Sequence, residues 1–434
     1  MKIAHQIHNV YGAGVIEALG DAAAEMPREK VDPASVQWAG FDPASMDFNF
    51  LGKDLMTSMA TQWGRMYDGF RQALFCYNWV MDNRPDAIVL WNDEYAHSRG
   101  AITAARDLGI PTVELVHGNI HQKKLGHWAG VKHCDWVVGA SWEFKDWYTH
   151  YYPDRADRVI TTGTVTQDPY AGADLRDDVR AAARQELQLP VGMPIVTFLT
   201  DAVFKRGAWQ DPGLRYQCML DFFHAFRMLR SVIPAMHLCI KIHPYEMMRG
   251  HNVTTVEYEE ALTAAGITEN YTIIDEPLIS AIAPADLVVG IPSSAMATGY
   301  HFGIPALILG YEPFYETEKH AGRGALVAHN EDEILPRMAE ILLNEETMHG
   351  LIQETTKGVD YFSGTRDGLA AIRVTKALRA IAEAKEIPEE CHVPREGPAG
   401  LRIQREEGLL ERGQPPLGGG GPGSGPQRPP LALG

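Results

Sequence analysis

Two short stretches bring together residue types that can do chemistry: Lys241-Ile242-His243-Pro244-Tyr245-Glu246 and Ile291-Pro292-Ser293-Ser294. An imidazole can donate to a phosphate oxygen or move a proton near neutral pH. Serines at a helix start can cap the helix, or join its free N–H groups in holding a phosphate. An imidazole and a serine pair on neighbouring strand ends suit a sugar nucleotide. The plainer reading of either stretch alone is a helix cap and a histidine satisfied by its neighbours.

The elements around them set their positions. Ala235 to Ile242 is an apolar run closed by Pro244, and Asp286 to Ile291 is another, stopped by Pro292. Both read as buried strands, so the polar residues fall at strand carboxyl ends, where open α/β sheets place their ligand sites. A helix follows Ser293 as far as His301. Other strand ends in this half offer further candidates. Pro194 to Thr200 ends in Thr200-Asp201 before a polar loop with Lys205, and Tyr271 to Asp275 ends in Asp275-Glu276. A helix runs from about Leu214 to Ser231, Ala306 to Leu309 is a strand, and Glu331–Leu343 and Asp367–Ala384 are amphipathic helices.

The first half repeats the pattern. Met1 to His8 alternates like a strand and meets Tyr11-Gly12-Ala13-Gly14, read as a tight turn into a helix from Val15 to about Met26. Glu17 occupies the third glycine's place in a dinucleotide fingerprint, so the match fails. From Asp54 to Asp82 a helical pattern aligns Leu55, Met59, Trp63, Met66, Phe70, Leu74 and Trp79 as a core stripe. Ala87 to Trp91 is a strand ending in Asn92-Asp93-Glu94, and a helix begins near His97. Thr112 to Val116 is a strand ending in His117-Gly118, Asp135 to Gly139 another, and Trp142 to Tyr151 a helix. Val159 to Thr164, a strand containing Gly163, leads into Gln167-Asp168-Pro169. Alternation of this kind predicts parallel sheets.

At 434 residues the chain should form two domains, here 1–170 and 171–355, followed by helices over 356–387 and a tail over 388–434. From Pro388 on, prolines, glycines and scattered charges predict disorder. The net charge of -17 disfavours nucleic acid and a polybasic membrane surface. Five scattered cysteines without a CxxC fit a reducing compartment. No apolar run is long enough to span a bilayer, which leaves the cytoplasm as the expected location, with at most peripheral membrane association. His117, His121, His127 and His133 match no metal-ligand spacing, and no DxD-like motif stands at a strand end. No metal is expected.

Several motifs resemble known families. Gly109-Ile110-Pro111-Thr112-Val113-Glu114-Leu115-Val116-His117-Gly118 is similar to the first-domain core of bacterial surface-polysaccharide glycosyltransferases. Thr162-Gly163-Thr164-Val165-Thr166-Gln167-Asp168-Pro169 resembles the end of the first domain in those enzymes and in nucleotide-sugar 2-epimerases. Lys241-Ile242-His243-Pro244 and Pro292-Ser293-Ser294 resemble the HP and SS motifs of bacterial sialyltransferases, Kdo transferases and glycerophosphotransferases. Ala285-Asp286-Leu287-Val288-Val289-Gly290 and Gly303-Ile304-Pro305-Ala306-Leu307-Ile308-Leu309 resemble a phrase common to that superfamily.

The resemblance implies an α/β fold of the GT-B type: two Rossmann-like, doubly wound parallel-sheet domains facing across a cleft, with a helical C-terminus. It implies a glycosyltransferase moving a sugar from a nucleotide-sugar donor to a glycan or lipid-linked acceptor in surface polysaccharide biosynthesis, with no separate cofactor. In that fold the donor lies on the second domain. His243 would then contact the donor phosphate, and Ser293 with Ser294 its oxygens. Lys241 would help stabilise the leaving group, and Glu246, Thr200, Lys205, Glu276 and Gly163 would line the substrate site. The base for the acceptor would come from Asp93, Glu94 or His117. The acid that relatives place on the helix after the serines, to hold the ribose, is replaced by Thr298-Gly299. The alternatives are a nucleotide-sugar 2-epimerase or hydrolase, which would draw on Asp93, Glu94 and Glu114, and a non-catalytic sugar-nucleotide-binding relative.

Overall fold

The computed structural model describes residues 1–6, 9–26, 53–93, 95–116, 133–171, 177–190, 192–200, 212–243, 246, 254–275, 277–311 and 317–393. Four of the candidate residues, Glu94, His117, Lys205 and Glu276, lie outside them.

The first half runs β1 (Ile3–His5), α1 (Asn9–Leu19), β2 (Ala23–Glu25), α2 (Lys53–Asn83), β3 (Ala87–Leu90), α3 (Ala96–Leu108), β4 (Thr112–Leu115), β5 (Trp136–Val138) and α4 (Trp142–Tyr151). Its strands form one parallel sheet in the order β2-β1-β3-β4-β5. The second half runs α5 (Asp177–Glu186), β6 (Ile195–Leu199), α6 (Pro212–Leu229), β7 (His237–Lys241), α7 (Thr255–Ala264), β8 (Tyr271–Ile274), α8 (Leu278–Ile282), β9 (Leu287–Gly290), α9 (Ser294–His301), β10 (Ala306–Leu309), β11 (Ala325–Ala328), α10 (Glu331–Leu343), α11 (Glu345–Phe362) and α12 (Ala370–Ala382). Its sheet, also parallel, has the order β11-β10-β9-β6-β7-β8. Helices cover both faces of these strands, which is why the strands read as continuous Val/Ile/Leu runs.

The second core is built on β6 and α6, where Phe198 stacks on Phe222 at 4.8 Å and Phe223 and Phe226 are fully buried. Each such ring contributes about 1.5–3 kcal/mol by leaving water. In the first domain, Ile3, Val89, Val113, Leu115 and Val138 share a cluster with Ala370, Val374, Ala377, Leu378 and Ile381 of α12. The C-terminal helix therefore crosses back and completes the first domain's core.

That crossing corrects several expectations. The boundary placed at residue 355 falls inside α11, and the chain leaves the second domain at Ser363-Gly364 instead. The glycines after β1 belong to α1, where Gly14 faces Ala371 of α12, so they permit helix approach rather than a turn. The helix expected to reach Met26 stops at Gly20, whose φ of 55° is left-handed, and Ala23–Glu25 pairs with β1. On α2 the stripe is rotated: Phe70 and Leu74 are 50% and 38% exposed, whereas Arg71, Cys76 and Val80 are buried. The start of the stretch expected to be disordered docks, because Cys391 and Val393 are buried and the Val393 N–H donates to the Thr161 carbonyl.

Candidate functional site

Strand order in the second sheet reverses direction between β6 and β9, and ligands bind in the crevice outside the carboxyl ends at such a reversal. β6 ends at Thr200, β7 at Lys241 to His243, and β9 leads to Ser293 and Ser294. The imidazole and serine strands are not neighbours, because β6 lies between them. Thr200 thus stands between His243 and the serines in strand order.

Thr200 ties the ends of β6 and β7 together. Its N–H donates to the Lys241 carbonyl at 3.1 Å, and its hydroxyl oxygen accepts from the His243 N–H at 2.7 Å. The same hydroxyl donates to a Glu246 carboxylate oxygen at 3.1 Å, and the Tyr258 phenol donates to that oxygen at 2.6 Å. Glu246 and Tyr258 are fully buried. Glu246, expected to line the substrate site, instead braces the turn that carries His243. Burial, reinforced by the charge of Glu246, pushes the Tyr258 phenol far up, so it stays a neutral donor. Lys241 is 5% exposed and its ammonium donates to the Ile242 carbonyl at 2.6 Å, which places it behind the strand end.

Ser293 occupies the N-cap position of α9 in extended conformation, yet its side chain makes no capping bond. Ser293, Ser294 and Ala295 are half-buried, whereas α9 from Met296 onward is buried. The helix presents its first turn at the crevice and packs the rest of itself away. Thr298 is buried with its hydroxyl 3.4 Å from the Gln167 amide. That contact joins α9 to the chain crossing between domains.

Gly163 lies at that crossing and not in the crevice. Its φ is 86°, and a Cβ on Gly364 of the second crossing would stand 2.9 Å from the Gly163 Cα. Thr164 N–H donates to the Ser363 carbonyl at 2.8 Å. Gly163 is needed for close backbone packing at the crossing. Beside it, Asp168 accepts from the Ala370 and Ala371 N–H groups at the start of α12.

In the first domain the strand order reverses between β1 and β3. Asp93, three residues beyond β3, is fully buried and its carboxylate accepts from the His133 and Cys134 N–H groups. It anchors the chain entering β5, so the candidate base is held inside the fold. Glu114 of β4 is 2% exposed, and burial first, then the charge of Asp93, pushes its carboxyl well above the usual range. Among the described residues no group of three or more His, Cys, Asp and Glu could hold a metal ion. Of the four histidines of the His-rich segment only His133 lies within the described residues.

Sequence reasoning missed Tyr258, because nothing in its spacing links a helix tyrosine to a carboxylate earlier in the chain. The capping box of Thr254 and Glu257 marks where its helix starts, but not which way the phenol points.

No family model matches the chain, and no curated protein matches it. Solved structures do. The chain is similar to an S. aureus MnaA solved with UDP, at a TM-score of 0.57 and 11% identity over 89% of this chain and 99% of that one. It is similar to a UDP-GlcNAc 2-epimerase from Neisseria meningitidis bound to UDP-GlcNAc, at 0.55 and 13% over 87% and 100%. A glycosyltransferase from Rickettsia africae scores 0.53 at 11% identity over 87% and 98%. The chain has the two-domain GT-B fold. Identities this low show that fold and nothing finer.

Proposed function

We propose that this chain is a glycosyltransferase that takes a nucleotide-sugar donor on its second domain and transfers the sugar to a glycan or lipid-linked acceptor. The observation that supports the reading is the His243 turn, anchored by Thr200 one strand from the strand-order reversal that the half-buried first turn of α9 borders. A helix N-terminus favours phosphate through its unsatisfied N–H groups and its dipole, and a protonated imidazole adds a charge-assisted donor. Both interactions strengthen as the departing nucleotide gains charge, so they favour the transition state over bound donor. Surface polysaccharide assembly, a cytoplasmic location and peripheral contact with a membrane carrying the acceptor complete the proposal. No helix among the described residues is long and apolar enough to cross a membrane.

The likeness of fold extends to proteins described as 2-epimerases, and one observation favours that second reading. Burial and the neighbouring charge of Asp93 push the Glu114 carboxyl well above the usual range, and two carboxyls close together are the material of acid–base catalysts. Incubating a UDP-sugar with the protein and no acceptor separates the two, since an epimerase converts the donor alone and a transferase leaves it intact. The nucleotide itself is tested by thermal shift against CMP, CDP, UDP, GDP and dTDP. A rise in Tm with at least one supports donor binding, and no shift with any of them contradicts it.

A further inference from the structure

We infer that Tyr258, Glu246 and Thr200 are positioning residues that hold the His243 turn in register for the donor phosphate, an inference that rests on the function proposed above. Three hydrogen bonds carry it in series. The Tyr258 phenol, on α7, donates to Glu246 at 2.6 Å, Thr200 donates to the same carboxylate oxygen at 3.1 Å, and the Thr200 oxygen accepts from the His243 N–H at 2.7 Å. A fourth bond, from Glu246 N–H to the His243 carbonyl at 2.9 Å, closes the turn on itself.

The orientation of each group follows from its donors. Glu246 has no hydrogen to offer when ionised, so Thr200 must direct its only proton at the carboxylate. That leaves the Thr200 lone pairs facing His243, and the His243 N–H is the donor that meets them. Without the carboxylate, the threonine hydroxyl could rotate and turn its proton toward His243, where it would repel the N–H. Tyr258 in turn holds Glu246, since a carboxylate at 0% exposure requires donors to stay buried. A tyrosine on α7 therefore sets the direction of a backbone donor on the β7 turn. Its hydroxyl is buried and spends its proton on Glu246, so it acts on the turn through that carboxylate.

The test uses Tyr258→Phe, Thr200→Val and Thr200→Ser in the full chain, with hydrogen exchange of peptides spanning 240–246 and calorimetric titration with UDP and with CDP. Loss of one link should speed exchange at the turn and weaken the nucleotide that binds wild type by about tenfold, the equivalent of one hydrogen bond. Thr200→Ser keeps the hydroxyl and should restore both. Combining Tyr258→Phe with Thr200→Val should cost less than the sum of the two, because they break one chain. Unchanged exchange in both Tyr258→Phe and Thr200→Val overturns the inference. Faster exchange with wild-type affinity for UDP or CDP also overturns it, reducing the three residues to a structural brace. Wild type that binds neither nucleotide overturns the proposed function instead, whatever the exchange result.

Discussion

Two buried carboxyls, Glu114 and Asp168, both hold their protons more tightly in the fold than carboxyls ordinarily do. Glu114 holds its proton more tightly when folded than unfolded, so the native state binds more protons and loses stability as pH rises above the ordinary glutamate range. Glu114→Gln removes that cost. Its Tm should match wild type near pH 4 and exceed it near pH 8, a gap read by thermal melts across pH. Asp168 has a second function as well as a raised affinity. Burial pushes its carboxyl from 3.8 to about 6, against the pull of the two α12 N–H groups it accepts from. Its folded value also exceeds the unfolded one, so wild type loses stability relative to Asp168→Asn between pH 3.8 and about 6 and keeps that deficit above. Asp168→Ala also loses the cap, so it should be less stable than wild type by about 1 kcal/mol below pH 3.8, with the deficit shrinking as pH rises to about 6.

At the scale of elements, the two domain crossings are held by backbone contact. Gly163 and Gly364 have φ of 86° and 89° and touch, so Gly364→Ala meets both a left-handed backbone and a 2.9 Å clash. It should cost on the order of 1–3 kcal/mol in urea unfolding. The chain end is also structural. Truncation after Glu386 removes the buried Cys391 and Val393 from the first core and should lower Tm by several degrees, given about 2 kcal/mol for one buried aliphatic side chain.

Most strands of both sheets were legible because their apolar runs are bounded by glycine, proline or polar residues, as at Pro292 and Gly303, but Val159 to Thr164, expected as a strand, makes only a single bridge from Val159 to Val137. The short β2 and the edge strand β11 were not, since Ala23–Glu25 carries no β-branched residue and Ala325–Ala328 is four residues between turns. Nor was the face of α2, because a period of 3.6 fixes a stripe but not which stripe meets α3, and the fit depends on Gly100 lying against the Ala73 backbone. Strand-end position singled out Thr200, His243 and the serines, which the structure puts at the carboxyl ends of β6, β7 and β9. Whether a side chain turns toward the crevice or the core was hidden, and Glu246, Asp93 and Gly163 turned out to serve the scaffold.

Over the whole molecule, Gln167–Thr298 and the α12 crossing link the first domain to the helix that begins at Ser293-Ser294, so the proposed donor site would lie on an element bonded to the interdomain chain. The central claim is that His243 and the start of α9 form one phosphate site. Isothermal titration of UDP and CDP into folded wild type, His243→Ala and the Ser293→Ala/Ser294→Ala pair tests it most directly. The account predicts that His243→Ala weakens the bound nucleotide by about 1.5–3 kcal/mol with little change in Tm, and that the serine pair weakens it less, because backbone N–H groups remain. Equal dissociation constants in wild type and His243→Ala, with the loss appearing only in Tm, would contradict it.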